Sequence, residues 1–323
     1  MSSGLTDIPG LFVGHATDLD GITGCTAVLC PEGAVGGVDI RGSATASQEL
    51  DLLNPQHVTP ALHAIVLAGG SAFGLEAASG VRRYLEGRGI GFKTGAAVVP
   101  LVTSACIYDL SIGKASARPN REMGEAAARA ASDADIAEGA VGAGTGATVG
   151  KILGMRHAMK SGLGTASVWL DGDLSGIRVS ALAVVNAIGD VRDPETGHIL
   201  AGTRREPGSR DLADSAAILK RGVKAGFSQS QSTNTTLVIV GTNAKLSKVG
   251  TTKLAQLASL GVARTINPIW TMSDGDITFA LSIGQQQAPI DSLGVAAAEA
   301  VSNAVLRAVR KAPGMGGLPG LAE

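Results

Sequence analysis

Aromatic residues make up only 3% of this 323-residue chain, and its 27 Lys and Arg nearly cancel 28 Asp and Glu. Scarce aromatics remove the stacking platforms that single-stranded nucleic acid uses, and scattered basic residues leave no cationic stripe for phosphate backbones or anionic lipid. A small molecule or peptide is therefore the expected partner, with no nucleic acid and no membrane. Cysteine is sparse as well. Cys25, Cys30 and Cys106 form neither a CxxC pair nor a cluster with histidine, which argues against a disulfide framework or a zinc site and for three buried thiols. The opening MSSGLTDIPG lacks a basic segment followed by an apolar run, and no 18 successive uncharged apolar residues follow elsewhere, so a cytoplasmic location is expected.

Several catalytic signatures are also missing. The five histidines, His15, His57, His63, His157 and His198, are dispersed, and none pairs with another four residues on across a carboxylate. A GxSxG elbow is absent; Gly69-Gly70-Ser71-Ala72-Phe73-Gly74 is superficially similar, but Ser71 reads better as part of a loop of backbone donors than as a nucleophile. Residues 142–152, GAGTGATVGKI, invite a phosphate-loop reading, yet Thr145 stands where the first Gly is needed and Ile152 where Ser or Thr is needed. Gly142, Gly144 and Ala147 fit only the loosest dinucleotide fingerprint, in surroundings that suggest hairpins rather than a parallel βαβ unit with a downstream acid. No cofactor and no metal are expected.

Glycine (45 residues) and apolar residues (45%) are what the chain has in quantity, enough for a substantial core in which helices lie close on sheets. Residues 22–40 read as two short strands joined by a hairpin at Pro31-Glu32-Gly33. Residues 63–90 read as strand, glycine turn and Ala-rich helix; a further helix fits 120–135; 138–151 is a glycine-rich loop; and 164–190 form two strands around Asp171-Gly172-Asp173. From Val191 to about Ser232 the composition turns polar, with a helix at 211–223 and the run SQSQSTN at 228–234, and this stretch is expected to be exposed and mobile. After Asn234 the last 89 residues become abruptly apolar in the order β-α-β-α. One layered α/β domain spanning 1–323 is the preferred organisation.

The junction at Asn234-Thr235 has a specific chemistry open to it. A Thr hydroxyl can attack the carbonyl of the residue before it, forming an ester that water opens, and the freed α-amine then lies beside the hydroxyl. With a reference pKa of about 7.7 to 8.0 that amine serves as a base near neutral pH without histidine. From the residues alone, an ordinary strand that happens to open on an Asn-Thr pair is the stronger reading. Asp274 and Asp276 in SDGDITFALSIG are two apart and share a face if the following strand extends that far, where they could orient the Thr235 amine; a plain Asp-Gly turn also accounts for them. Lys160 and Asn186 are ambiguous, the first readable as a surface lysine and the second as a turn former.

Taken in order, LTDIPGLFVGH (5–15), PEGAVGGVDIRG (31–42), LAGGSAFGLEAASGV (67–81), KSGLGTAS (160–167), AVVNAIGD (183–190) and NTTLVIVGTNA (234–244) make the whole chain resemble the DmpA-type aminopeptidases. That family also contains β-peptidyl aminopeptidases and 6-aminohexanoate-oligomer hydrolases. The resemblance implies a four-layer αββα sandwich similar to that of N-terminal-nucleophile hydrolases with different connectivity. It further implies self-cleavage between Asn234 and Thr235 into pieces 1–234 and 235–323, and assembly into tetramers of cut units. It makes Thr235 the nucleophile, Asp274 and Asp276 the acidic pair beside it, Asn186 a donor to the oxyanion and Lys160 an aid to cleavage geometry. A well-aimed oxyanion donor is worth about 3 to 4 kcal/mol. Asn-Thr at the cut and the Asp-x-Asp pattern lean toward the nylon-oligomer branch, while the loop 142–162 is longer than in the best-known members, so substrate specificity does not transfer. Two other functions remain open: acyl transfer of the ornithine-acetyltransferase type, and binding of a small anion by a chain that never cleaves.

Overall fold

The computed structural model describes residues 4–222 and 234–323. Its largest sheet contains β1 (Phe12–Asp18), β2 (Thr23–Ile40), β3 (Ala46–Gln48), β4 (Leu62–Ala68), β5 (Val102–Cys106), β6 (Leu163–Trp169), β7 (Arg178–Asn186), β8 (Thr235–Ala244) and β9 (Ile277–Gln286). The strand order is β6-β7-β8-β9-β2-β4-β5-β3, with β1 also paired to β2. Neighbours are antiparallel except β8 with β9 and β4 with β5. The helices are α1 (Ala77–Glu86), α2 (Arg121–Arg129), α3 (Ser215–Lys220), α4 (Lys248–Thr265) and α5 (Ile290–Arg310).

The hairpin expected at Pro31 does not form; β2 runs through it as one 18-residue strand. Two different partners explain this. Cys25–Leu29 pair with β4, Val35–Ile40 pair with β9, and the register shifts between Leu29 and Ala34. Pro31, which has no ladder donor, and Gly33, at φ +87°, fall in that irregular stretch where the strand passes from one partner to the next. The signals read as a reversal thus mark a change of neighbour.

Strand alternation then builds three core layers. Leu237 and Ile239 of β8, Leu182 and Val184 of β7, and Phe279 of β9 face Val28, Ile65 and Leu67 of β2 and β4, packing sheet on sheet. Val238, Val240, Ala181 and Ala183 point the other way, against α4 and α5. Ala27, Ala64 and Val66 meet α1 and α2 on the opposite outside. This is the expected αββα order. Small residues permit the close fit: a Cβ on Gly164 would lie 2.2 Å from the Ala304 carbonyl oxygen of α5, and one on Gly37 2.4 Å from the Thr252 amide nitrogen of α4. Helix α5 is long and apolar enough to cross a membrane by length and composition, but it is largely buried here as a core helix against β6, β7 and α4.

Most other elements lie where the pattern puts them, with two differences. The helix expected over 120–135 stops at Arg129, because Ser132 leaves it to bridge Val13 of β1; Asn120 caps its start by accepting from the Met123 amide. Nor is the polar stretch after Val191 exposed throughout. Asp190 accepts from the Thr203 and Ser215 amides and from Ser215 Oγ, and Thr203, Arg204 and Ser215 are buried. Residues 228–233 of the expected mobile run lie outside the described residues.

Candidate active site

Thr235 is the first residue of β8 and is 4% exposed. Antiparallel pairing sets it opposite Asn186, the last residue of β7, while on its other side Asn234 bridges to Asp274 in the parallel sense. The switch from polar to apolar sequence at this point thus places a hydroxyl at the end of a central strand. The Thr235 hydroxyl donates to the carbonyl oxygen of Asn234 at 2.5 Å, and the Gly275 amide donates to the same oxygen at 2.8 Å. The carbonyl preceding the hydroxyl is therefore both within its reach and held by a backbone donor, the polarisation that nucleophilic attack on an amide needs.

The two acids reach this point in a different way from that expected. Strand β9 begins at Ile277, so Asp274 and Asp276 lie in the approach to it rather than on one face of a strand. Asp276 Oδ1 accepts from the Thr236 amide, and Asp274 Oδ2 accepts from the Thr271 amide at 2.9 Å and its hydroxyl at 2.7 Å. Their own carbonyls anchor the segment 41–44: Asp276 accepts from the Arg41 and Gly42 amides, and Asp274 from the Ala44 amide. Burial raises both carboxyls above their usual range, and the negative charge of Asp274 pushes Asp276 further up. The pair thus resists double ionisation unless a cation is near.

Lys151, which no motif in its local sequence singles out, is the buried base whose charged form those carboxyls favour. Its side chain is 1% exposed, and Nζ donates to the Asn186 carbonyl at 2.9 Å and to Asn186 Oδ1 at 2.8 Å. Burial pulls its pKa down from 10.5 to about 7, against the attraction of Asp274, Asp276 and Asp109. Asn186 Oδ1 also accepts from the Thr148 amide, and Nδ2 donates to the Tyr108 carbonyl at 3.1 Å, which fixes the amide orientation. Lys160 is equally buried, but its Nζ donates to the carbonyls of Gly144, Ala147 and Ser161 and lies beside Asp109. The structure therefore brings Thr235, Asn234, Asn186, Asp274 and Asp276 together, adds Lys151, and puts Lys160 on the glycine-rich loop that carries Lys151. A single charge within the small and apolar run GAGTGATVGKIL was the available signal, and the failed phosphate-loop match drew attention from it.

The loop around Ser71 donates inward. Its amide goes to the Ile107 carbonyl, and the Gly70 amide goes to Asp109 Oδ1 at 2.6 Å, while Thr23 Oγ1 donates to Asp109 Oδ2. The amide that meets the carbonyl beside Thr235 belongs to Gly275 instead. Cys25, Cys30 and Cys106 are free and buried, with burial pushing Cys25 and Cys30 up to about 12, so all three are packing thiols. A small cavity lined by Tyr108, Thr148 and Lys151 adjoins this cluster and shares Ser111, Ile112 and Met155 with a larger one of about 300 Å³.

Residues 3–322 match peptidase family S58. An uncharacterized aminopeptidase of Mycobacterium leprae is 39% identical over 98% of this chain and 92% of its own length. A 6-aminohexanoate-oligomer endohydrolase of Kocuria sp. is 32% identical over 94% of this chain and 85% of its own. Among solved structures, the L-aminopeptidase D-Ala-esterase/amidase of Ochrobactrum anthropi, a variant of the Ntn hydrolase fold, superposes with a TM-score of 0.74 at 19% identity, covering 99% of this chain and 90% of that one. A Burkholderia sp. beta-aminopeptidase gives 0.70 at 24% identity, covering 100% and 91%.

Proposed function

This chain belongs to peptidase family S58 and is a hydrolase of amide or peptide bonds, and we propose that it carries its nucleophile on Thr235 and exposes it by cutting its own Asn234-Thr235 bond. The observation that supports this most directly is the Asn234 carbonyl, shared between the Thr235 hydroxyl and the Gly275 amide. In maturation Thr235 Oγ1 bonds to the Asn234 carbonyl carbon, the C–N bond breaks, and the hydroxyl proton moves to the departing nitrogen. Water then opens the ester, leaving a carboxylate on Asn234 and a free amine on Thr235.

In turnover Thr235 Oγ1 attacks a substrate amide while its α-amine takes the proton and passes it to the leaving amine; water then releases the acyl group. Asp274 and Asp276 hold the ammonium form of that amine in place. Asn186 presents Nδ2 to the developing oxyanion, oriented by the donors on its Oδ1. Lys151 fixes Asn186 and offsets the charge of the acidic pair, whereas Lys160 braces the loop at 144–147. Short peptides, amino-acid amides and oligoamides are the substrate class, and the active unit is a tetramer of cut chains, in the cytoplasm.

Denaturing mass spectrometry of the wild type beside Thr235→Ala tests the central step. Pieces of 1–234 and 235–323 in the wild type and one intact chain in the variant are the expected result. A wild type that stays intact after prolonged incubation, or a variant that is cut at the same bond, removes Thr235 as the maturation nucleophile.

A further inference from the structure

The cavity of about 300 Å³ is lined by the apolar side chains of Ile112, Met155, Pro207 and Leu318 and by two arginines, Arg156 and Arg204. Arg204 is 4% exposed and spends its guanidinium on main-chain carbonyls, those of Ala158 at 3.1 Å, Arg156 at 2.7 Å and Pro207. Carbonyls satisfy its donors without cancelling its charge. Arg156 is exposed, and neither arginine has a carboxylate partner among the described residues. Residues 1–3 and 223–233 contain no Asp or Glu that could supply one. No acidic side chain lines this cavity.

A cavity that combines apolar side chains with guanidinium groups lacking a carboxylate partner selects an anion attached to a short hydrocarbon stem, and repels an ammonium. Its position says which anion. It shares Ser111, Ile112 and Met155 with the small cavity whose wall includes Thr148 and Lys151, and both of those side chains hold Asn186, the neighbour of Thr235 across the ladder. Resting on the hydrolase reading of that site, we infer that the cavity receives the free C-terminal carboxylate of the substrate, on the leaving-amine side of the bond that is cut. The preferred substrate is then a short peptide or ω-amino-acid oligomer cut within one or two units of a free carboxylate end. Arg156 is the specificity-determining residue, its guanidinium meeting the carboxylate while Ile112, Met155 and Leu318 cover the stem.

Two measurements on the full-length protein test this. The first compares kcat/KM for an oligoamide with a free carboxylate end and for the same oligoamide ending in a carboxamide. A charge-assisted pair predicts a preference for the carboxylate of about tenfold or more in the wild type, carried mainly by KM. Arg156→Gln should lower kcat/KM for the carboxylate substrate about tenfold more than for the carboxamide, abolishing the preference, and Arg156→Lys should restore part of it. The second measurement needs no turnover: ligand-observed NMR titration of N-acetyl-6-aminohexanoate and of its carboxamide. The carboxylate should bind the wild type at least about tenfold more tightly than it binds Arg156→Gln, and the carboxamide should bind both alike. Equal binding of the two ligands, or equal loss of both in the variant, overturns the inference. Selective carboxylate binding without any amide cleavage would uphold the cavity and count against the catalytic reading of Thr235.

Discussion

Gly275 and Thr235 are packed so closely that a Cβ on the glycine would stand 2.9 Å from the threonine hydroxyl oxygen and 2.5 Å from the Ala44 carbonyl oxygen. The backbone of Gly275 can reach the Asn234 carbonyl only because it carries no side chain. Gly275→Ala should therefore displace either the hydroxyl or the amide from that carbonyl. A displacement of this order costs about a hundredfold in rate. The expected outcome is slow appearance of the 235–323 piece in a time course by mass spectrometry, with Thr235→Ser cutting at a rate much nearer the wild type.

The buried acids give a second test. Asp276→Asn keeps an oxygen acceptor for the Thr236 amide but removes the charge that would hold the Thr235 ammonium. The chain should fold and the cut piece should form, while amide turnover falls about a hundredfold or more. Fragment yield and kcat measured on the same preparation check this, and unchanged kcat would remove Asp276 from the proposed role.

The two buried lysines separate cleanly by substitution. Lys151→Met strips a donor from both the carbonyl and the side-chain oxygen of Asn186, leaving buried acceptors short at a cost of about 1 to 3 kcal/mol each and loosening the proposed oxyanion donor. Lys160→Met takes donors from the carbonyls of Gly144 and Ala147 instead. Both variants should melt at lower temperature, but at matched folded fraction Lys151→Met should lose far more activity. Calorimetry and kinetics at one temperature distinguish the two effects.

Stability should also rise with pH through a definite window. Lys151 and Lys160 are both pulled down from 10.5 to about 7 by burial, so between these values the unfolded chain holds protons that the folded chain has released. Each such group adds a slope of about 1.4 kcal/mol per pH unit to the unfolding free energy, with stability lost as pH falls toward 7. Buried carboxyls with raised pKa act in the opposite sense, losing stability as pH rises from 3.8 upward, which is why the comparison must be differential. Denaturant unfolding of the wild type and Lys160→Met from pH 7 to pH 9.5 should show a shallower rise in the variant.

Much of this was legible in the order of residues. The abrupt change from polar to apolar sequence at Asn234 placed β8, but the unbroken apolar run 237–240 does not say which side chain faces which layer. Thr235 could be nominated from its junction and Asn186 only through the family resemblance, and their pairing across β7 and β8 is a long-range register that neither local pattern contains. Lys151 shows the same limit more sharply, because nothing next to a lysine says that its Nζ will be buried and will donate to both oxygens of Asn186. Pro31 and Gly33 carry the usual marks of a turn, and only the existence of a second partner, β9, turns them into a joint within one strand. Asp274 and Asp276 were found by their spacing, but the backbone before Ile277 that positions them is irregular and has no periodic signature.

The sheet order has a mechanical consequence for the proposed cut at Thr235. Strands β8 and β9 occupy adjacent central places, with β7 bonded along one flank and β2 along the other, and both of those belong to the stretch before the cut. A 235–323 piece severed there would be a keystone held between two jambs of the other piece, with α4 and α5 clamped over the same ladder. Such a cut would release one end of a strand and open no seam, so the two pieces could part only by unravelling the sheet itself.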